Sequence, residues 1–142
     1  ALQSQINPHF LYNTLDTIQW KSLDYNAYEV ADMINALSKF FRISLSDGKE
    51  FITIADEIEH VRNYLKIQEV RYKDKMEYII NLDNSIEQYL VPKMIIQPLV
   101  ENSIYHGLKP KRKKGNIEIN IKLIKLRIWA LMRSEGYKNK LN

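Results

Sequence analysis

The stretch QINPHFLYNTLD, residues 5–16, places an imidazole beside a proline within a run of apolar residues at helical spacing. A lone helical histidine is more often packing or surface filling than a reactive group. Here, however, Pro8 lacks a backbone N–H and would free the carbonyl of Ser4, so we expect a bend in the helix where His9 projects. Asn13 lies one turn after His9, where its amide can hold a water or a phosphoryl oxygen without adding charge. The pattern makes His9 a candidate reactive histidine and Asn13 its neighbour.

Apolar residues on both sides of this stretch recur at helical spacing and predict two helices joined by a short turn. The first helix is expected to end near Leu23. Asn26 and Glu29 resemble a capping box that opens the second helix, and Asp47 and Gly48 are expected to end it. Helices joined this closely run antiparallel, and two wide apolar faces favour pairing with a second copy into a four-helix bundle. The residues expected at the dimer contact are Leu11, Leu15, Ile18, Met33, Leu37 and Phe40.

A third helix is predicted where Thr53 and Asp56 have the spacing of an N-terminal cap, and it is expected to end near Tyr72. His60 lies among charged residues, and we interpret it as a solvated surface histidine. The residues expected on the buried face of this helix are Ile54, Ile58, Val61 and Leu65, with Ile67 as a further candidate.

Two strands are predicted after the third helix. EYIINL, residues 77–82, is rich in β-branched residues, and IEINIKL, residues 117–123, alternates apolar and polar side chains. Strands interleaved with helices indicate a mixed α/β layer. The expected fold is therefore α+β, with an antiparallel helical hairpin over residues 1–50 and a second domain over residues 51–142.

A second group of polar side chains closes the segment VPKMIIQPLVENSIYHG, residues 91–107. Pro92 fits the first position of a helix, and Pro98 should kink that helix. The amide oxygen of Asn102 is a suitable Mg²⁺ ligand beside a triphosphate, because it adds no negative charge. For His106, a structural role as a cation near a helix C-terminus is an equally good interpretation. The polar residues of these last turns are Glu101, Asn102 and His106.

Composition excludes several classes of function. The 142 residues are 45% hydrophobic and suit one modest core, and the absence of cysteine excludes disulfides and thiolate metal sites. No apolar run is long enough to cross a bilayer, and the chain begins inside a helical pattern, so we expect a piece of a longer protein whose membrane part lies elsewhere. The basic stretch KPKRKK, residues 109–114, has no interleaved aromatic residues, and no specific nucleic-acid partner is expected.

Four stretches, in this order, resemble the LytS-type sensor histidine kinases of two-component systems: QINPHFLYNTLD, RISL, YLKIQEVRY and PKMIIQPLVENSIYHGL. The resemblance implies that His9 accepts a phosphoryl group from ATP, that Asn102 holds the Mg²⁺ of the nucleotide, and that Glu101 and His106 lie near the phosphates. It implies a partial α/β sandwich of the histidine kinase ATPase type after the hairpin. The implied partners are a second copy and the receiver domain of a response regulator, and the implied location is the cytoplasmic portion of a bacterial inner-membrane protein.

The chain departs from the family pattern at two places. Phe10 follows His9, where many histidine kinases carry an acidic residue, so no residue is assigned as the general base that would accept the proton of His9. After residue 123 the glycine-rich nucleotide boxes of the family are missing, and we expect an open sheet edge around Ile117, Ile119 and Ile121. This chain alone is therefore expected to bind ATP weakly and not to phosphorylate itself. The alternatives are a non-catalytic dimerisation and phosphotransfer module and, less so, a basic helical nucleic-acid binder.

Overall fold

A computed structural model describes residues 6–45, 49–107, 114–124 and 127–134. Within these ranges the chain is α+β, as predicted, and two short 3₁₀ turns at Lys73–Lys75 and Asn84–Ile86 connect the longer elements. The helices and strands, in chain order, are α1 (Pro8–Asp24), α2 (Tyr28–Ser44), β1 (Phe51–Thr53), α3 (Ile54–Tyr72), β2 (Met76–Leu82), β3 (Leu90–Pro92), α4 (Gln97–Gly107), β4 (Gly115–Ile124) and β5 (Arg127–Ser134).

Helix α1 begins at Pro8 and does not bend there. The side chain of Asn7 caps the helix by accepting a hydrogen bond from the backbone N–H of Phe10 at 3.2 Å. Proline is well suited to the first helical position, because its missing N–H would have no partner within the helix. The predicted bend at Pro8 is therefore wrong, and His9 lies in the first turn of α1.

The turn between α1 and α2 is a Schellman motif. The N–H of Ala27 donates to the carbonyl of Ser22, and the N–H of Asn26 donates to the carbonyl of Leu23. Asn26 has a φ of 56°, a left-handed conformation that asparagine tolerates. The predicted capping box is wrong, because Ala27 precedes α2 and Asn26 instead accepts a hydrogen bond from the Tyr28 hydroxyl. The predicted stop at residues 47–48 lies outside the described residues.

The two helices form the predicted antiparallel hairpin. The Tyr12 hydroxyl of α1 donates to the carbonyl of Phe41 in α2, while Asp16, one turn further along α1, pairs with Ser38 and Arg42. The Arg42 guanidinium also lies 4.7 Å from the centre of the Tyr12 ring. These contacts hold α1 and α2 together through polar as well as apolar groups.

Helix α3 forms with the predicted bounds. Thr53 accepts a hydrogen bond from the N–H of Asp56 at 3.1 Å, and the helix ends at Tyr72. The predicted buried face is confirmed at Ile54, Ile58, Val61 and Leu65, which all belong to the core, whereas Ile67 is only partly buried and lies outside it. No helix in the described ranges is long and apolar enough to span a bilayer.

Three strands form the main sheet, in the order β2-β4-β5. Strand β2 runs parallel to β4, with α4 in the connection between them, and β5 runs antiparallel to β4. Strands β1 and β3 form a separate antiparallel pair. Both strands predicted from the sequence, over residues 77–82 and 117–123, are confirmed as β2 and β4.

One face of this sheet is covered by α3 and α4. Ile117, Ile119 and Ile121 of β4 are almost completely buried and pack with Val61 and Val100 from the two helices. The predicted open edge at these three isoleucines is wrong, because β4 is the central strand and has a neighbour on each side. On the opposite face β2 and β4 carry mainly polar side chains, with Ile79 exposed among them, and the sheet and helices make a two-layer arrangement.

Helix α4 begins later than predicted. Pro92 belongs to β3 rather than to a helix, and Pro98 is the second residue of α4, where it causes no kink. The buried carboxylate of Glu57 accepts hydrogen bonds from the backbone N–H groups of Met94 at 2.9 Å and Ile96 at 3.0 Å. Glu57 thus fixes the segment that leads into α4.

Helix α2 packs against the side of α3 that faces away from the sheet core. The Phe40 ring stacks on the His60 ring with 4.4 Å between centroids, and the Ser44 hydroxyl lies 2.8 Å from His60 Nε2. Burial, followed by the charge of Lys93, lowers the pKa of His60 to about 4. The prediction of a surface histidine is therefore wrong. The amide of Asn63, one turn further, is also buried there without a hydrogen-bond partner for either polar atom.

Candidate functional site

The first candidate site is the exposed start of α1. His9 is the second residue of the helix and is accessible to solvent, as is Asn13 one turn later. The helix N-terminus carries a partial positive charge, which favours a negatively charged group bound nearby. The neighbouring Phe10 is 70% exposed as well, so this turn of the helix is open to solvent. The position suits a histidine that must meet a phosphoryl donor from solution.

The second candidate site is a cavity of about 320 Å³ between α3 and α4. Asn102 and Glu101 both contribute to its wall. His106 does not line this cavity, although it lies one turn after Asn102, and its exposed ring packs edge-on against Tyr105. The residues that line the cavity are Tyr64, Gln68, Arg71, Tyr72, Glu101, Asn102, Ile104 and Tyr105.

Charged and phenolic groups are held in fixed places around this cavity. Glu101 accepts a hydrogen bond from the Gln97 amide at 3.1 Å. The Arg71 guanidinium lies 5.6 Å from the centre of the Tyr72 ring, within the range of a cation–π contact. Burial and, to a smaller extent, the charge of Glu101 raise the pKa of Tyr64, so this phenol keeps its proton at neutral pH. The site thus offers an amide, a carboxylate, a guanidinium and a protonated phenol.

A magnesium ion fits this donor set only as part of a complex with phosphates. Among the described residues there is no cluster of three or more histidine, cysteine or acidic side chains that could hold a metal. Mg²⁺ commonly keeps several waters and takes few protein ligands beside a nucleotide. The exposed amide of Asn102, with Glu101 next to it, is compatible with that kind of site and not with a dedicated metal cage.

The contribution of α3 to this cavity was missed in the sequence. Tyr64, Gln68, Arg71 and Tyr72 recur at intervals of four, three and one residues, which places them on one side of the helix. They all belong to the stretch YLKIQEVRY, which resembles a kinase motif, but the motif did not indicate which of its residues face a ligand. A polar and aromatic stripe beside the buried face was the available signal.

The two candidate sites lie on different elements. His9 and Asn13 belong to α1, whereas the described residues that line the cavity at Asn102 all belong to α3 and α4. The structure therefore brings Asn102, Glu101 and Arg71 together and leaves His9 on the hairpin. A transfer of phosphate between the sites requires that the nucleotide reach an imidazole on another element or another copy.

Comparison with known proteins identifies relatives along most of the chain. The histidine kinase family model matches residues 1–76. The chain is 37% identical over 136 residues to the sensor histidine kinase YesM of Bacillus subtilis, and the aligned region covers 96% of this chain and 24% of YesM. It is 36% identical over 143 residues to the sensor protein LytS of Oceanobacillus iheyensis, covering 99% of this chain and 24% of LytS.

A third relative is the sensor histidine kinase BtsS of Escherichia coli, at 37% identity over 119 residues, or 84% of this chain and 21% of BtsS. The chain thus spans about a quarter of the length of these curated relatives. These matches confirm the resemblance to LytS-type kinases that the four sequence motifs indicated.

Proposed function

Because this chain belongs to the histidine kinase family, we propose that it carries the phosphoacceptor and part of the nucleotide site of a two-component sensor kinase. In the proposed reaction a ring nitrogen of His9 attacks the γ-phosphorus of ATP. A nitrogen–phosphorus bond forms, the bond to the bridging oxygen breaks, and ADP leaves. The phosphoryl group then passes to an aspartate in the receiver domain of a response regulator, which restores the free histidine.

The exposed position of His9 in the first turn of α1 is the observation that carries this proposal. A nucleophile must reach the γ-phosphorus in line with the leaving oxygen, and a solvent-exposed ring at the end of a rigid helix can do so. The partial positive charge of the helix end favours the phosphorylated product. Since Phe10 replaces the usual acidic neighbour, we assign the ring proton to solvent, with Asn13 placing a water.

At the nucleotide end, Asn102 is the proposed Mg²⁺ ligand, with Glu101 and His106 near the phosphates. When bound, Mg²⁺ would offset part of the negative charge on the phosphates. The amide of Asn102 would hold the ion without adding charge, and Glu101, which accepts a hydrogen bond from Gln97, is the neighbouring carboxylate. His106 faces solvent outside the cavity, so its contact with a phosphate requires a nucleotide that extends beyond the cavity.

The remaining proposals concern organisation and partners. Residues 1–50 form a dimerising phosphoacceptor domain, and residues 51–142 form part of an ATP-binding domain. The partners are a second copy, a receiver domain, and ATP with Mg²⁺. The location is the cytoplasmic side of a bacterial inner membrane, to which other segments of the protein attach it.

One alternative is favoured by a specific observation. The sequence after residue 123 has a single glycine, Gly136, and no aspartate, so the glycine-rich boxes that close over ATP in the family are not recognisable. A chain without them could accept a phosphoryl group at His9 and pass it on without using ATP itself. We accordingly expect this chain alone to bind ATP weakly and not to phosphorylate itself.

The phosphoacceptor can be tested with phosphoramidate as a small donor, which bypasses the nucleotide site. We expect one phosphate per chain, labile to acid and stable to alkali. His9→Gln should abolish labelling, whereas the matched variants His60→Gln and His106→Gln should retain it. Asn13→Ala should still accept the phosphoryl group but lose it at a different rate. Label that persists in His9→Gln would refute the assignment of His9.

A further inference from the structure

A phosphate ligand in the cavity beside Asn102 needs a positively charged side chain to balance its negative charge. Glu101 contributes a negative charge to the wall, and Mg²⁺ would offset only part of the charge on a triphosphate. Among the described residues that line the cavity, Arg71 alone carries a positive charge at every pH of interest. It makes no ion pair with a carboxylate in the described part of the chain.

We propose that Arg71 binds the phosphate groups of the nucleotide whose Mg²⁺ is held by Asn102. This inference rests on the proposed function and adds a residue from α3 to a site otherwise built on α4. A guanidinium donates two parallel hydrogen bonds to a phosphate, which gives it more geometric specificity than an ammonium group. The two helices therefore supply complementary groups, a neutral oxygen for the metal and a cation for the phosphates.

The surroundings of Arg71 support this role. The Arg71 guanidinium lies 5.6 Å from the centre of the Tyr72 ring, within the range of a cation–π contact, and a cation in such a contact can still donate its N–H groups to a phosphate. Tyr64, whose pKa is raised by burial, adds a protonated phenol to the same cavity. Gln68, one turn further along α3, contributes an amide to the same cavity. Each of these groups can donate to a phosphate oxygen or to water bound to it.

The size of the cavity indicates which part of the nucleotide it takes. Its volume of about 320 Å³ lies at the lower end of the range of roughly 300–1,000 Å³ that is typical of small-molecule sites. That volume suits a metal–phosphate group better than a whole nucleotide. We infer that this chain recognises Mg²⁺-bound polyphosphate, and that the adenine base contributes little to its affinity.

The test is a titration of the ¹⁵N-labelled chain followed by NMR, with Mg·ATP, Mg·tripolyphosphate and adenosine in separate arms. NMR detects binding as weak as about 10 mM, so low affinity does not prevent the measurement. We expect the two phosphate ligands to bind with dissociation constants within about threefold of each other and to shift the Arg71 side-chain signal. Adenosine should shift the NMR signals of neither Arg71 nor Asn102.

Variants of Arg71 measure its contribution. Arg71→Gln should weaken Mg·ATP and Mg·tripolyphosphate about tenfold, and Arg71→Lys should weaken them less, because a charge remains but the paired hydrogen bonds do not. Arg62→Gln is the matched control. Arg62 lies on the same helix and pairs with Glu59 outside the cavity, so its loss should leave both affinities unchanged. Because Arg71 is exposed, its substitution should preserve the dispersion of the amide spectrum.

The outcomes separate this inference from the proposed function. If Asn102→Ala weakens Mg·ATP while Arg71→Gln does not, the nucleotide site stands and the role of Arg71 is refuted. If neither variant changes the affinity, both the nucleotide site and the role of Arg71 are refuted. The same holds if no ligand at about 10 mM shifts the NMR signals of the residues that line the cavity. Binding of adenosine without binding of tripolyphosphate would show that the cavity recognises the base, which also overturns the inference.

Discussion

His60 lies between charged residues in the sequence, yet its ring is enclosed between α2 and α3. The periodicity of α3 correctly predicted the face that meets the sheet, with Ile58 and Val61 at its centre. It could not show that a second helix covers another side, since Phe40 comes from an element twenty residues earlier. Burial of a polar residue by a distant partner leaves no trace in local periodicity.

We expect the stability of the chain to fall as the pH drops from 6.5 toward 4. In the folded chain the pKa of His60 is about 4, and its ordinary value is 6.5. Between these values the unfolded chain binds the proton more readily, so protonation favours unfolding, with a slope of at most about 1.4 kcal/mol per pH unit. Above pH 6.5 the neutral ring is present in both states and this effect vanishes. Urea unfolding at pH 7, 6 and 5 measures it.

The comparison variant is His60→Phe, which keeps a ring against Phe40 and removes the titrating group. Its unfolding free energy should vary less with pH between 6.5 and 5 than that of the parent chain. His9→Phe, at an exposed position, should keep the parent's pH dependence. An unchanged slope in His60→Phe would show that the protonation of His60 is not coupled to folding.

At the two candidate sites, the residues that the sequence proposed were those with unusual chemistry for their position. His9 was conspicuous beside a proline, and Asn102 closes an apolar segment with an amide. Arg71 is one of many exposed basic residues on helices, and only the packing of α3 against α4 distinguishes it from Arg62. Which cation faces a ligand depends on tertiary contacts that the sequence does not display.

Helices α3 and α4 show what the sequence could predict, since α3 begins at a local cap and was predicted correctly, whereas the start of α4 depends on a distant residue and was not. Thr53 and Asp56 are three residues apart, and the start of α3 was correct. The start of α4 was wrong because Glu57, far away in the sequence, binds the amides just before it. Pro92 was expected at the helix start and Pro98 at a kink within the helix, and the contact with Glu57 determines that only Pro98 lies in α4.

Removal of the Glu57 carboxylate should destabilise the chain strongly. Glu57→Ala leaves the N–H groups of Met94 and Ile96 without their acceptor in a mostly buried place, at a cost of about 3 kcal/mol. Glu57→Gln retains one acceptor oxygen and should cost about half as much. Glu59→Ala is the matched control on the exposed side of α3, where loss of the pair with Arg62 should cost less than about 0.5 kcal/mol. Urea unfolding at pH 7 compares the three.

Equal stability of Glu57→Ala and Glu59→Ala would contradict this account of α4. It would mean that water or another donor arrangement replaces the carboxylate without loss. A drop in stability for Glu57→Gln as large as for Glu57→Ala would instead show that the negative charge near the start of α4, rather than the oxygen acceptors, provides the stabilisation.

For the molecule as a whole, the packing of α2 on α3 changes the surface available for a dimer. Two residues of the predicted dimer contact already pack within the chain, since Leu15 is buried and Phe40 stacks on His60. Ile18 remains 42% exposed. Large exposed side chains elsewhere on α1 are Phe10 and Trp20. The proposed contact with a second copy therefore lies on the outer side of α1.

Ile18→Glu should weaken self-association of the chain without unfolding it. A charge introduced at a desolvated contact opposes burial, and we expect a shift of at least tenfold in the concentration at which dimers form, which corresponds to about 1.4 kcal/mol. Light scattering of the whole chain at high micromolar concentration measures this. Ile79→Glu, at an exposed position on the sheet, is the matched control and should leave the dimer intact. A parent chain that stays monomeric would refute the dimer proposal.

The parallel pairing of β2 with β4 governs the order in which the chain can fold. Helices form within microseconds from contacts a few residues apart, whereas parallel strands must wait for the segment that crosses between them. Asn81 of β2 can meet Asn120 of β4 only after the 39 residues that follow Asn81 have been synthesised. Until then Met76 and Tyr78 have no central strand to join. This interval of synthesis is when the chain is most exposed to aggregation.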